Sequence, residues 1–459
     1  MIAVNIGKTF LKAYNQKYGR SYSAKEFFER QFFPLFYDHR KYMQWITNSP
    51  FVQGIRKGEY PTKDERAEKL KKFIEKISTY APDASIAIGF PSLDLVATTS
   101  GQITNIKLGI TEEDVYASWI GGGFGIGVQG GLVIFFDFPE ILLKLYDGWQ
   151  IYRNYLEEIP KLRPNQIDTW NGQWLSHVYN LRNYVESSPT SNFEPFSTKK
   201  DGTVEIATQK WVKVLVGIAQ HFPGKKITGY IFSLGQMNTT IGFIPFFLPD
   251  IVKPIDYYKR LFGENDFLQN AKIIEDLLGD DFSLRQSCMR GQIGIEAMQP
   301  RNLMPYIRLK RGEYKMPVYK KAPTIRPKKD ETTEEFEVRQ KKAFEKYNQQ
   351  LVTFKTYEGW IMATLDDDSL YAKAEKYAQC FIEYQKGAGK GKKDRINHVK
   401  QVLKAKNRRF FIEELITIIE NEKLEQINEL VEEVVKIPSD NFPYFLTLIR
   451  FRYAYLNQN

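Results

Sequence analysis

The sequence has few of the residues that build metal sites and disulfide frameworks. Its 459 residues include two cysteines, Cys288 and Cys380, and four histidines that lie far apart along the chain. No Cys-x-x-Cys pair is present. We therefore expect no zinc site, no disulfide scaffold and no cofactor, and we expect a reducing, cytoplasmic location.

We also expect no export of this chain. Its first residues show no charged segment followed by an apolar segment and a small-residue cleavage site. Residues 117–136 carry no charge and are long enough to cross a bilayer, but seven of these twenty residues are glycine. Because glycine is a poor helix former, we expect a glycine-rich loop that leads into a buried strand, and no membrane contact.

Two short tracts carry the whole excess of positive charge. Residues 301–329 hold ten Lys or Arg against one acid, and residues 386–409 hold ten against Asp394 alone. Of the 65 basic and 55 acidic residues, 45 and 53 lie outside these tracts, so the rest of the chain carries a net charge of −8. Clustered Lys and Arg mark a surface for a polyanion, most often a nucleic acid. We call these stretches the first and second basic tracts.

Periodicity predicts an α+β protein. Hydrophobic residues make up 42% of the chain and aromatic residues 14%, which excludes a disordered scaffold. The pattern is helical and aromatic up to about residue 77, and Ile-, Val- and Thr-rich segments typical of strands follow. The predicted strands are residues 84–98, 102–108, 132–136, 212–219 and 228–232, and the predicted helices are residues 141–156, 173–185, 251–262 and 266–278.

The chain changes character near residue 359. No proline occurs from Trp360 until Pro438, and apolar positions follow helical spacing through this stretch. The charged run 328–346 before it predicts a linker or an exposed helix. We therefore expect a large mixed α/β region over residues 1–358, followed by an all-α helical bundle over residues 359–459.

Two glycine-rich motifs lack features that nucleotide-binding loops need. Gly125–Gly130 matches Gly-x-Gly-x-x-Gly, yet the predicted strand follows these glycines, whereas a dinucleotide site needs a strand before them and a helix after them. Residues 386–393 fail as a Walker loop because Lys386 replaces the first glycine and Lys393 replaces the Ser or Thr that binds magnesium. A flexible cationic loop is the simpler prediction for the second motif.

Two further segments leave alternatives open. The glycine run 121–127 is suited to a loop that approaches a DNA groove or a phosphate closely, or to a tight turn packed against the core. In the polar segment 232–243, Gln and Asn amides can pair with base edges, and a structural turn explains the segment as well.

The acidic triplet Asp366–Asp368 is the candidate for metal chemistry. Its carboxylates could hold Mg²⁺ in a nuclease. Consecutive carboxylates do not easily face one ion, however, and Asp is favoured at helix N-caps and in first turns. Capping of the C-terminal helices is therefore the favoured interpretation.

The second basic tract predicts a helix with a cationic face. Lys400, Lys404 and Arg408 follow one another at i+4 steps. Like charges in this arrangement repel by roughly 0.2–0.5 kcal/mol per pair, and a bound polyanion would relieve the repulsion. We favour phosphate contact over a merely solvated face.

Four segments together show a family resemblance: Trp119–Gly127, Asn165–Gly172, Ser233–Phe243 and the basic stretch Lys404–Phe411. With them, the chain resembles the large subunit of a type I-B CRISPR Cascade surveillance complex. The resemblance implies a non-catalytic subunit that recognises the protospacer-adjacent motif in duplex DNA, helps to open the duplex and stabilises the displaced strand, while a guide RNA reads the target. The implied partners are the guide RNA, the Cascade backbone subunits, target double-stranded DNA and a helicase-nuclease acting in trans.

The resemblance also implies roles for individual residues. It assigns motif recognition to residues 1–358 and the path of the displaced strand to residues 359–459. Reading of the motif from the minor groove is carried over to Gly121, Gly122, Gly123, Gln236 and Asn238. On charge grounds, we assign phosphate contacts to Arg308, Lys310, Arg311, Lys390, Lys392, Lys393, Arg395, Lys400, Lys404, Arg408 and Arg409.

Three alternatives stay open at this point. In type I-B systems the bundle can also be made separately from an internal start, for which Met362 is suitably placed, although an ordinary core methionine is the alternative. The chain could instead be a metal-dependent nuclease that uses Asp366–Asp368. It could also be a scaffold that binds structured RNA without sequence choice.

Overall fold

The computed structural model describes residues 1–46, 49–56, 59–79, 86–89, 109–233, 239–307, 315–387, 391–421 and 425–458. These residues form two compact units. The first unit contains residues 1–249 and 288–293, and the second contains residues 250–287 and 294–459. The structure thus divides the chain elsewhere than predicted, since residues 358 and 359 lie inside one 33-residue helix.

The described part of the first unit combines helices with two antiparallel sheets, and the α+β prediction is confirmed. Its helices are α1 (Ile2–Tyr18), α2 (Ala24–Phe27), α3 (Phe33–Phe36), α4 (Lys63–Thr79), α5 (Glu112–Gly122), α6 (Pro139–Glu158), α7 (Ile167–Val178) and α8 (Trp211–His221), with a π-helical turn at Phe28–Phe32. Its strands are β1 (Ile126–Val128), β2 (Leu132–Phe136), β3 (Phe196–Thr198), β4 (Val204–Ile206), β5 (Lys226–Ser233) and β6 (Thr239–Phe247).

The larger sheet has the strand order β1-β2-β5-β6, and among the described strands β3 pairs only with β4. Phe135 of β2 lies opposite Tyr230 of β5, which lies opposite Phe243 of β6. The predicted strands 132–136 and 228–232 are therefore confirmed. The predicted strands 84–98 and 102–108 lie outside the described residues, except for residues 86–89.

Aromatic side chains fill the core of the first unit. Phe28, Phe51, Phe73 and Trp119 are at most 1% exposed, and their ring centres lie 4.8 to 6.5 Å apart. The π-helical turn and helices α4 and α5 supply three of the four rings. The helical, aromatic start that the sequence predicted is confirmed.

The prediction of a glycine-rich loop is wrong for residues 117–122. Residues 117–122 continue α5 and are buried. A Cβ atom added to Gly121 would overlap the carbonyl oxygen of Ala3 in α1, and one added to Gly7 would overlap the carbonyl oxygen of Ala117. The two helices therefore touch backbone to backbone, which only glycine permits. Core packing explains these glycines: Gly121 lies in the helix contact, and Gly123 and Phe124 form a buried turn after α5, the alternative that the sequence left open.

Residues 212–219, predicted as a strand, belong to α8. Eight of the eleven residues of this helix are buried, because it is apolar at nearly every position. A short continuous apolar run does not distinguish a buried strand from a buried helix. The predicted helix 173–185 is also wrong at its end, since α7 stops at Val178.

The regular structure described in the second unit is helical. Its helices are α9 (Leu248–Phe262), α10 (Glu264–Leu277), α11 (Asp281–Met289), α12 (Met304–Ile307), α13 (Thr333–Leu365), α14 (Ser369–Lys386), α15 (Lys392–Leu403), α16 (Arg408–Asn421), α17 (Glu425–Lys436) and α18 (Phe442–Leu456). Helix α9 begins within the last residues of the first unit, and α11 ends in residues assigned to it. The predicted C-terminal helical bundle and the helices predicted at 251–262 and 266–278 are confirmed.

Two further expectations concern the thiols and the membrane. Both cysteines are free thiols, with Cys288 half-buried and Cys380 buried. In the described part of the chain, no helix combines the length and the apolar content that a bilayer crossing requires.

Candidate nucleic-acid interface

A buried arginine of α18 joins the two basic tracts. Arg450 is 2% exposed. Its guanidinium group donates hydrogen bonds to the carbonyl oxygens of Leu403 at 2.8 Å, Ala405 at 3.1 Å and Tyr306 at 3.3 Å. Tyr306 belongs to the first basic tract, whereas the other two carbonyls belong to the second. One side chain thus holds the two most basic stretches of the sequence side by side.

In the first basic tract, the chain after residues 308–314 lies against α12 again. The Lys315 N–H donates a hydrogen bond to the carbonyl oxygen of Pro305 at 3.3 Å. The Lys315 ammonium group lies 5.9 Å from the centre of the Tyr306 ring. Both described ends of the connection 308–314 are therefore next to the backbone that Arg450 binds. Three predicted phosphate ligands lie outside the described residues: Arg308, Lys310 and Arg311.

Residues 315–329, which we call the basic strap, run along α13 without regular secondary structure. The side-chain amide of Gln350 donates a hydrogen bond to the carbonyl oxygen of Val318 at 2.7 Å. Tyr319 is buried, and its ring centre lies 4.5 Å from that of Phe354. These contacts fix the strap, and its charged side chains are exposed: Lys315, Lys320, Lys321, Arg326, Lys328 and Lys329.

Lysines of the second basic tract add to the cationic surface. The exposed ones are Lys386, Lys392, Lys393, Lys400, Lys404 and Lys406. Within the described residues, none of their ammonium groups has a carboxylate partner. Arg409 is also exposed but forms an ion pair with Glu413 at 2.8 Å. Lys390 lies outside the described residues.

The predicted face of Lys400, Lys404 and Arg408 on one helix is wrong. Helix α15 ends one residue before Lys404, and α16 begins at Arg408. The side-chain oxygen of Asn407 accepts the N–H of Phe410 at 3.0 Å, the contact by which an N-cap starts a new helix. The break separates the arginine from the two lysines.

Two of the predicted phosphate ligands serve helix ends instead. Arg395 donates a hydrogen bond to the carbonyl oxygen of Gly387, just after α14. Arg408 donates one to the carbonyl oxygen of Ile437, just after α17. Basic side chains at helix C-termini satisfy carbonyl groups that lack partners within the helix. These two guanidinium groups therefore contribute less to the exposed surface than the lysines do.

The acidic triplet lies between α13 and α14, as the capping interpretation expects, but Asp368, the N-cap residue of α14, forms no side-chain cap hydrogen bond. Asp366 is the C-cap of α13 with φ 53°, and Asp367 accepts the backbone N–H two residues further on, at 2.9 Å. Asp366 also lies 2.7 Å from the Lys253 ammonium group. The Arg260 guanidinium beside Asp368 lowers the pKa of that carboxyl. In the described part of the chain, no group of three or more His, Cys, Asp or Glu is arranged to hold a metal ion.

In the first unit, two segments of the family resemblance meet. The Asn171 side-chain amide of α7 donates hydrogen bonds to the carbonyl oxygens of Gly123 and Gly125, both at 2.8 Å. Beside this contact is a cavity of about 510 Å³, lined by the β1–β2 turn and by residues at the start of α7. The contact and the cavity make this a polar site formed by two of the segments that carry the resemblance.

Asp168 is the unusual residue of this cavity. Its carboxyl group has no hydrogen-bond partner among the described residues. Burial raises the pKa of Asp168 to about 7. A carboxyl group with a raised pKa and no hydrogen-bond partner, placed in a concave polar site, is a candidate binding group. Only the resemblance of residues 165–172 pointed to this region, since nothing in the local sequence marks the aspartate.

The residues predicted to read the DNA motif fall into two groups. Gly121–Gly123 are buried where α5 ends, and a Cβ atom on Gly123 would lie 3.1 Å from the Trp149 ring. Their own unit encloses this backbone, so it offers no loop for insertion into a groove. Gln236 and Asn238 lie outside the described residues. The strand residues on either side of them, Ser233 and Thr239, pair across β5 and β6.

Comparison with models of protein families, with curated proteins and with solved structures finds no match to this chain. Sequence reasoning missed Arg450, which organises the candidate interface. Its partners Tyr306 and Leu403 are 144 and 47 residues away. Helix α18 is mostly apolar but carries two arginines, Arg450 and Arg452. An arginine in such a helix signals a buried polar contact, but it does not identify the partners.

Proposed function

We propose that this protein is a non-catalytic, nucleic-acid-binding subunit of a CRISPR RNA-guided complex of type I-B. In this role it recognises the protospacer-adjacent motif in double-stranded DNA, helps to open the duplex and stabilises the displaced strand. One observation carries the proposal: Arg450 holds together the two tracts that contain the whole excess of positive charge.

A nucleic-acid backbone suits the exposed lysines of these tracts. Duplex DNA presents about one negative charge per 1.7 Å of helix axis, so a surface with several unneutralised ammonium groups gains from releasing its counterions. Phosphate contacts position a protein on DNA but carry little sequence information. We therefore assign orientation and strand stabilisation to the second unit.

Motif reading requires base-edge contacts, and we assign it to the first unit. Gln236 and Asn238 remain the proposed readers, because their amides can donate and accept hydrogen bonds at base edges. The contribution of Gly121–Gly123 is indirect, since their packing holds α5 against α1. Guide RNA, Cascade backbone subunits and a helicase-nuclease in trans are the proposed partners, in the cytoplasm.

The salt dependence of DNA binding tests the phosphate contacts. Lys400→Gln combined with Lys404→Gln should make the slope of log K against log salt shallower by about 1.8, because each lost contact contributes about 0.9. Lys436→Gln is the matched control, since this exposed lysine of the same unit lies 4.0 Å from Glu432 and Glu433. A slope unchanged by the double substitution would remove both lysines from the interface.

Three further outcomes separate the alternatives. Co-purification from the native host with a guide RNA and repeated backbone subunits would support the CRISPR assignment, and purification without either would contradict it. Equal competition by structured RNA and duplex DNA, whatever the motif sequence, would favour an RNA scaffold. Magnesium-dependent cleavage that Asp367→Ala abolishes would favour a nuclease.

A further inference from the structure

A second cavity of the first unit is rich in cations. Its volume is about 510 Å³, and it lies where the chain after α3, the start of α4 and the end of α6 meet. Its charged lining consists of four basic residues and two acids: Arg40, Lys41, Arg66, Arg153, Asp38 and Glu157. Neither basic tract contributes to it.

Both carboxylates of this cavity already have partners. Asp38 accepts a hydrogen bond from Nε of Arg66 at 3.0 Å. Glu157 lies 2.8 Å from Nδ1 of His39. The remaining cations of the cavity have no carboxylate within 4.0 Å among the described residues. The cavity therefore carries uncompensated positive charge.

Arg153 is the most deeply placed of these cations, at 2% exposure. Its guanidinium group donates to the carbonyl oxygens of Leu35 at 2.9 Å, Lys41 at 2.8 Å and Phe36 at 3.4 Å. A guanidinium group has five N–H donors, so two remain unused by these bonds. Burial lowers the pKa of Arg153 to about 10. A buried charge without an ion-pair partner is costly, and the charge of Glu157 offsets only part of the effect of burial on the pKa of Arg153.

The neighbouring groups respond to this positive field. The Lys41 ammonium group donates to the carbonyl oxygens of Ile159 and Pro160, at 2.9 and 2.8 Å, where α6 ends. Burial and then the charge of Arg153 lower the pKa of Lys41. The same two causes lower the pKa of His39. An anion in the cavity would oppose both shifts.

We propose that this cavity binds a phosphate group, with Arg40, Lys41 and Arg153 as its cationic ligands. Phosphate fits because guanidinium groups bind its oxygens through two parallel hydrogen bonds and an ammonium group adds a point charge. Arg40 is exposed at the mouth, where its guanidinium carbon lies 5.7 Å from the centre of the Tyr60 ring. The phosphate is either free in solution or the terminal phosphate of a nucleic acid, and both present the same chemistry.

A purely structural role for Arg153 makes a different prediction. In that case the only role of Arg153 would be to bind its three carbonyl partners, and Arg40 would have no part in phosphate binding. Arg40→Gln distinguishes the two roles without disturbing the core, because the side chain is exposed. Arg20→Gln is the matched control, an exposed arginine of the same unit away from the cavity.

The test measures phosphate affinity of the full chain by calorimetry at constant ionic strength. The probes are inorganic phosphate and a dinucleotide with either a 5′-phosphate or a 5′-hydroxyl. Arg40→Gln should weaken binding at least about tenfold, since charge-assisted hydrogen bonds contribute about 1.5–3 kcal/mol. Arg20→Gln should leave it unchanged, and the 5′-hydroxyl dinucleotide should not bind.

Binding of inorganic phosphate, of the 5′-phosphorylated dinucleotide, or of both supports the proposal and identifies the source. Failure of both to bind wild type, or equal affinity in Arg40→Gln, overturns it. Lys400→Gln with Lys404→Gln should retain phosphate binding. The proposed phosphate site and the proposed DNA-binding surface of the second unit can therefore be disproved independently.

Discussion

At the scale of residues, Gly7 and Gly121 let α1 and α5 approach until their backbones touch. One added Cβ atom at either position would prevent this contact. A methyl group at either position has no free space, because the overlapping atoms belong to the backbone of the other helix. Backbone cannot rotate away as a side chain can. The helices would have to separate, and the aromatic core beside them would lose contacts.

Gly121→Ala should therefore lower the free energy of unfolding of the first unit by about 1–3 kcal/mol or more, the usual range for overpacking. Gly224→Ala is the control, since no atom lies within 4 Å of the added Cβ. It should change stability by less than about 1 kcal/mol. Urea unfolding followed by tryptophan fluorescence measures both. Equal stability of the two variants would contradict the helix contact.

Asp168 makes stability depend on pH. The folded state keeps the Asp168 proton up to a pKa of about 7, whereas the unfolded state releases it near the ordinary carboxyl pKa of 3.8. Between these values the unfolded state binds fewer protons, so the first unit should lose stability as pH rises from about 4 to 7. Asp168→Asn should flatten this slope, and Asp137→Asn at an exposed site should not. A slope that survives Asp168→Asn would show that its carboxyl is not the cause.

At the scale of elements, sequence patterns located helices better than they located helix ends. The helix α6 could be predicted because apolar residues recur at helical spacing, and it extends beyond the predicted 141–156 at both ends. The helix α8 could not be predicted, because an almost uniformly apolar run shows no hydrophobic periodicity that separates a helix from a strand. The break between α15 and α16 was missed because burial of Ala405 and the cap by Asn407 are tertiary and local contacts that charge spacing does not reveal.

Substitution of Arg408 tests whether its side chain caps a helix or contacts phosphate. Its hydrogen bond to the carbonyl oxygen of Ile437 caps the end of α17, so Arg408→Gln should lower the stability of the second unit by about 1–3 kcal/mol. It should leave the salt slope of DNA binding unchanged. Chemical unfolding and salt titration measure the two effects separately. A shallower slope with unchanged stability would restore the original phosphate assignment.

At the scale of the whole molecule, the chain passes between its units three times. Residues 288–293 return to the first unit, where Ile293 forms hydrogen bonds of 2.9 Å with the backbone of Pro245 and Phe247. A boundary inferred from composition assumes that each domain is continuous in sequence. That assumption placed the boundary inside α13, although the α+β class and the C-terminal helices were predicted correctly.

The position of Met362 leads to a prediction about an independent C-terminal product. The part of α13 before Met362 contains Phe354 and Tyr357, whose ring centres lie 5.2 and 5.8 Å from that of Phe451 in α18. Trp360 and Ile361 are also buried. Burying each such side chain contributes about 1.5–3 kcal/mol, so losing four removes an amount comparable to a typical domain stability of about 5–15 kcal/mol.

A fragment of residues 362–459 should therefore lack a cooperative unfolding transition and should bind a hydrophobic dye. A fragment of residues 315–459 keeps the basic strap and all of α13, including the buried contact between Tyr319 and Phe354. We expect this longer fragment to unfold cooperatively in urea. Cooperative unfolding of both fragments at the same midpoint would show that α13 is dispensable. An internal start at Met362 would then yield a folded small subunit, whereas the predicted result requires a start before α13.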